Sequence, residues 1–237
     1  MSQLVDRPLG GRVRGRALSA GVAILVAGWA FAAVLHDVLG REELALADQP
    51  VLAYLVAHRS PWPTTILQAA TNLGASWFLV PFVALVGGMW WWRRRAWQPL
   101  ALLGGAYLGA LVLARLVKVL VGRPRPPAAL MLDHATGAAF PSGHTTEGTA
   151  VFVLLAVLLA AGTVSWGRKL AAAAGAVLVV LVIGFSRLYL GVHWLTDVLA
   201  GYALGGLWLC ALLLGVRGRL GRIISRPAPH PEPPRAG

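Results

Sequence analysis

The 237-residue sequence predicts an all-α, polytopic membrane protein: six transmembrane helices packed as one bundle. Three observations carry that expectation. Hydrophobic residues make up 57% of the chain and charged residues only 13%, about half the charged fraction of an ordinary soluble domain. The apolar residues fall in runs long enough to cross a hydrocarbon layer. Lys and Arg gather in short clusters at the ends of those runs, where positive-inside sorting places them.

The first run, about Ala17 to Leu35, follows an arginine-rich start of Arg7, Arg12, Arg14 and Arg16. A positive leader before an apolar run also describes a signal peptide, and Ala30-Phe31-Ala32 offers a weak cleavage pattern. The run is long enough to span, so it is read as an uncleaved anchor. Residues Asp48 to Arg59 form a short amphipathic helix with Asp48 as a cap, Pro50 in the first turn and Val51, Leu52, Leu55 and Val56 on one stripe. It reads equally as an interfacial helix or as a packed helix of the fold. The second span covers about Thr65 to Trp92, with Gly74 and Pro81 as possible bends. Trp90-Trp91-Trp92 followed by Arg93-Arg94-Arg95 marks its end as a headgroup boundary. Further spans run about Trp97–Val121, Thr145–Val164, Leu170–Leu190 and Leu195–Val216.

The chain therefore divides into a basic cytoplasmic N-terminus (1–16), a six-span membrane domain (17–216) and a basic, Pro-rich tail (217–237) read as disordered and cytoplasmic. Fourteen of the twenty-one Lys and Arg residues fall on the side of the termini. Both termini are thus expected in the cytoplasm of a cell in whose inner membrane the protein lies. The net charge of +12 is explained by this sorting, and no nucleic-acid motif accompanies it. Cys210 is the single cysteine, so an intrachain disulfide is excluded.

Three segments concentrate polar chemistry in this apolar chain: Lys118-x6-Arg125-Pro126, Pro141-Ser142-Gly143-His144, and Ser186-Arg187-x5-His193-x3-Asp197. Six spans place the two loops that carry them on one extracytoplasmic face. Charge and imidazole at a bilayer edge are costly, so their co-location points to function. Arginine offers a planar fork for phosphate oxygens and lysine a mobile point charge. Pro124, Pro126 and Pro127 stiffen the turn that holds Arg125. Arg115 and Arg123 adjoin this cluster, which taken alone reads as cations snorkelling to headgroups.

The second segment opens a helix, where free backbone N–H groups favour an anion and Gly143 leaves room for its approach. The Ser142 hydroxyl can cap that helix, donate to phosphate, or both. His144 then lies beside the bound group with a side chain suited to proton delivery. His193 and Asp197, four residues apart, share a face if the last span starts as a helix. A carboxylate on one imidazole nitrogen leaves the other nitrogen's lone pair free to attack.

Together the three segments resemble the three-part signature of the type 2 phosphatidic acid phosphatase (PAP2) superfamily, in its membrane-embedded bacterial lipid phosphatase branch. The match runs in detail from Lys118 to Asp197. The resemblance implies His193 as the nucleophile that forms a phosphohistidine, with Asp197 orienting it. His144 would protonate the leaving oxygen and then activate water. These three form the catalytic set. Lys118, Arg125, Ser142, Gly143 and Arg187 would hold the phosphoryl oxygens. No metal or other cofactor is implied, and no carboxylate cluster in the motifs suits Mg²⁺.

The partners expected are the bilayer itself and a membrane lipid phosphate, with no nucleic acid. Candidate substrates are isoprenyl diphosphates, phosphatidic acid and phosphatidylglycerophosphate, hydrolysed at the extracytoplasmic face. A lipid phosphotransferase using the same site, or a non-catalytic lipid transporter of the same fold, are the alternatives. Three further features carry no role at this point. Glu147 reads as a wet helix end, as a residue tuning His144 or as a partner of Arg115. Asp133 and His134 read as a solvated loop, and His36, His58 and His230 have no evident partner.

Overall fold

The computed structural model describes residues 9–216, with side chains from residue 21 onward. Those residues form α1 (Leu9–Gly40), α2 (Glu43–Leu46), α3 (Asp48–Ala57), α4 (Pro61–Thr71), α5 (Ser76–Arg94), α6 (Gln98–Val121), α7 (Gly143–Ala161), α8 (Trp166–Tyr189) and α9 (Leu195–Gly215). The all-α expectation holds among them. Residues 1–8 and the tail expected to be disordered lie outside the described residues.

Five helices are long and apolar enough to cross a membrane by themselves: the Gly21–Gly40 part of α1, and α6, α7, α8 and α9. The sixth candidate crossing is a bent pair of helices, broken at one of the two positions read as possible bends. Instead of one helix from Thr65 to Trp92, α4 and α5 meet at a 56° bend through a 3₁₀ turn, Asn72–Gly74. Gly74 is the bend, and its neighbours explain why. A Cβ there would lie 2.8 Å from Ile183 Cγ2 and 3.0 Å from both the Cβ and the carbonyl oxygen of His144. The turn thus packs directly on the start of α7 and on α8. Pro81, the other expected bend, lies inside α5 without ending it.

The most buried helix is α7, which packs against α6, α8 and α9, while α1 lies on the outer side of α9. Ala150, Val151 and Leu154 of α7 are fully buried in the main core with Leu79, Leu103, Ala106 and Ile183. Lipid tails are as apolar as leucine, so helices in a bilayer associate by close packing of small residues. The seam between α7 and α9 follows this rule. A Cβ on Gly201 would come 2.8 Å from Thr145 Cβ, and one on Gly205 would come 2.6 Å from the Thr146 carbonyl oxygen. The two helix starts that carry the second and third motifs are locked together by this seam. The Ser142 N–H adds a bond of 2.9 Å to the Asp197 carbonyl oxygen.

The open choice for the short amphipathic helix is also resolved. Asp48 and Leu52 of α3 are buried, and the helix packs on α8 and α9. It is a packed element of the fold. Successive spans alternate in direction, so Lys118, Gly143, Arg187 and Leu195 share one end of the bundle. The Trp90–Arg95 boundary, with Trp91 and Trp92 exposed, and Arg168 lie at the other end.

Candidate active site

The site is built where α6, α7, α8 and α9 end or begin. His193 lies in the short link between α8 and α9, and Asp197 is in the first turn of α9. One carboxylate oxygen of Asp197, Oδ2, accepts from the Trp194 N–H at 2.9 Å and lies 3.3 Å from His193 Nδ1. The same side chain therefore caps its helix and seats the imidazole.

Arg125 settles the tautomer. Its Nη1 stands 3.1 Å from His193 Nε2. A guanidinium has only donors, so Nε2 accepts, and Nδ1 carries the hydrogen that points at Asp197. Burial, followed by the nearby charges of Arg187, Arg125 and Lys118, pushes the His193 pKa well below its ordinary 6.5. The ring is neutral at physiological pH, with its free lone pair directed at a cation.

The two cations of the first motif share a second task. Lys118 Nζ donates to the carbonyl oxygens of Ala138 (2.7 Å) and Ala139 (3.1 Å). Arg125 donates to Gly137 from Nε (3.0 Å), to Thr136 from Nη2 (3.1 Å) and to Val192 from Nη1 (2.7 Å). These bonds fold the loop before the second motif over the site. They also hold both cations within reach of His193.

Arg187 is almost fully buried near the end of α8. Its Nη1 is fixed by Thr71 Oγ1 and Asp133 Oδ2, each at 2.7 Å. Its Nε is buried without a partner among the described residues. A buried N–H without an acceptor is costly, and the Nε edge of a guanidinium is one of the two that take a phosphate side-on.

At the start of α7 the first helical bond runs from the Thr146 N–H to the Ser142 carbonyl oxygen at 3.0 Å. The N–H groups of Gly143, His144 and Thr145 precede it and make no bond within the helix. Ser142 is fully buried, and its hydroxyl oxygen accepts from Thr145 Oγ1 at 3.0 Å. It makes no side-chain cap, so that part of the expectation is corrected: a buried neighbour on the same turn takes the oxygen first. His144 is partly buried on the turn that touches Gly74, with Arg187, His193, Asp133 and Arg125 as its electrostatic neighbours. All eight residues singled out from the sequence are thus gathered at one end of the bundle.

Several neighbouring groups have partners that the sequence does not reveal. Asp133 is more than a solvated loop residue: its side chain is 35% exposed, and its Oδ2 accepts from Arg187. Glu147 is no wet helix end: it is 5% exposed and accepts from Ser76 Oγ at 3.2 Å. Arg115 is exposed on the flank of α6, whereas Arg123 is drawn in to Asp197 Oδ1 at 2.7 Å. His36 pairs locally with Glu42 and His58 with the Tyr54 carbonyl oxygen, while His230 lies outside the described residues.

A multi-helix membrane fold with two histidines, a carboxylate and three cations at one end defines a class: a membrane-embedded phosphoric ester hydrolase. Residues 99–220 match the PAP2 superfamily, and the chain belongs to that family. It is 33% identical to phosphatidylglycerophosphatase B of Bacillus subtilis (strain 168) over 178 residues, 74% of this chain and 86% of that one. It is 39% identical to decaprenylphosphoryl-5-phosphoribose phosphatase of Mycobacterium tuberculosis over 119 residues, 48% of this chain and 57% of the relative. A crystal structure of a transmembrane PAP2-type phosphatidylglycerolphosphate phosphatase from Bacillus subtilis superposes with a TM-score of 0.72 at 28% identity. That superposition covers 85% of this chain and 96% of the other.

Proposed function

We propose that this enzyme hydrolyses a phosphomonoester or diphosphate of a membrane lipid through a phosphohistidine on His193, at the extracytoplasmic face. The observation that carries the reading is the pair of bonds on the His193 ring, Nδ1 to Asp197 and Nε2 to Arg125. An incoming phosphoryl group draws Arg125 onto its oxygens and uncovers the Nε2 lone pair. That lone pair forms the N–P bond as the P–O bond to the lipid breaks, and His144 gives the departing oxygen its proton. Water then attacks phosphorus with His144 taking its proton, and the N–P electron pair returns to Nε2. Lys118, Arg125, Arg187, the Gly143 N–H and the Ser142 hydroxyl hold the phosphoryl oxygens while charge moves across them.

Phosphatidylglycerophosphate, phosphatidic acid and isoprenyl diphosphates are the substrates to compare, since the relatives' names span glycerolipid and polyprenyl phosphates. Phosphate release from a panel of these lipids in detergent is the test. Release is expected to persist in EDTA, because Lys118, Arg125 and Arg187 supply the positive charge. Loss of all activity in EDTA, restored by a divalent ion, would contradict the reading.

The cluster Arg93–Arg95 and the pair Arg168 and Lys169 at the opposite end support the assignment of face. A Cys210→Ser, His134→Cys chain in intact cells is expected to react with a membrane-impermeant maleimide. Labelling only after the membrane is opened would reverse the orientation.

A further inference from the structure

Asp197 does not face His193 as a free carboxylate. Its Oδ1 is bound by Arg123 Nη1 at 2.7 Å, so half of the anion is already paired with a cation. A carboxylate neutralised in this way accepts weakly from an imidazole N–H. It also gives little stabilisation to the positive ring that forms when Nε2 bonds phosphorus. Asp48 alters this balance. It is 2% exposed, and it accepts from Arg123 Nη2 through Oδ2. It also takes the Thr196 N–H at 2.9 Å on Oδ1 and the Thr196 hydroxyl at 2.7 Å on Oδ2. Arg123 Nη1 closes the set with a bond of 2.7 Å to Thr196 Oγ1.

We propose that Asp48 is a positioning residue for the reaction: by neutralising Arg123 it leaves Asp197 with an effective negative charge toward His193. The three charges Asp48, Arg123 and Asp197 sum to −1, and the sum becomes zero when Asp48 is removed. Asp48 reaches no phosphoryl oxygen and acts only through Arg123 and Asp197. Its position explains why α3, far away in sequence, is packed on the start of α9. Asp48 and Arg123 also line a cavity of about 770 Å³ together with Arg41, Pro50 and Trp194, so a neutral side chain at position 48 has room to settle. The proposal rests on the reading of His193 as nucleophile.

The test compares Asp48→Asn, Arg123→Gln and the double variant as monodisperse protein in detergent, with a phosphate-labelled lipid. Asp48→Asn is expected to lower kcat about tenfold, the size of one weakened charge-assisted hydrogen bond, and to leave KM unchanged. The double variant restores the charge sum of −1 and is expected to recover most of that loss. A purely structural role instead lowers the yield and thermal stability of the folded protein and leaves the kcat of the folded fraction unchanged, because its damage comes from an uncompensated buried charge.

Unchanged kcat in Asp48→Asn, or no recovery in the double variant, overturns the proposal. If Asp48→Asn does not accumulate as folded protein, Asp48→Glu keeps the charge and is expected within threefold or so of wild-type kcat, at the scale of local rearrangement; a tenfold fall there also overturns it. Labelling separates the two levels of inference. Wild-type enzyme with no phosphoryl group on His193 sinks both the reading and the proposal, whereas labelled wild type beside an unimpaired Asp48→Asn sinks the proposal alone.

Discussion

Replacing His193 with alanine is expected to abolish phosphate release, leaving only the uncatalysed background. The substitution removes the attacking lone pair, and among the described residues no other nucleophile is placed to inherit its role. Ser142 comes closest by type, but its oxygen already accepts from Thr145, which suits its hydroxyl to donating rather than attacking. His144 lies on α7, and among the described residues no carboxylate is bonded to its ring as Asp197 is to that of His193. Folding should survive, since Asp197 keeps its bonds to Arg123 and the Trp194 N–H. Purified His193→Ala is therefore expected to elute as wild type does and to bind lipid phosphate while releasing none. Release at a rate near wild type would mean that the phosphoryl group never passes through this ring.

His144→Ala is expected to slow turnover by about 10²–10⁴-fold, the usual worth of acid–base assistance. The loss should depend on the leaving group. An alkoxide departing from a phosphomonoester needs a proton, whereas an activated aryl phosphate leaves without one. The variant should therefore retain much more of its activity on p-nitrophenyl phosphate than on a lipid phosphate, measured side by side. An equal loss on both would remove His144 from the proton-transfer role. Because Gly74 packs on His144, the broken span between α4 and α5 sets where this ring can sit.

The sequence makes some parts of this site legible and hides others for physical reasons. Helix ends carrying Lys118, His144, Arg187 and Asp197 stand out because polar residues interrupt apolar runs at a bilayer edge, where each costs free energy. The loop lengths and span count place those ends on one side. Pairings between distant positions leave no such trace. Asp133 meets Arg187 across 54 residues, and Asp48 meets Thr196 across 148.

The signal for Asp48 was present but slight. It lies one helical turn before buried Leu52, so an acid shares the inward stripe of α3. The bend at Gly74 was also only half legible. A glycine in a long apolar run permits a turn, but contacts with Ile183 and His144 demand it. The sequence leaves capping and phosphate binding both open for Ser142, because the Thr145 hydroxyl that bonds its oxygen turns inward only in the packed bundle.

The most direct test is to quench wild-type enzyme during turnover of a ³²P-labelled lipid phosphate and map the label. A phosphoryl group stable to alkali and labile to acid, on the peptide containing His193, is the expected result. Label on a serine, or continued turnover with no label on protein at any quench time, would contradict the account.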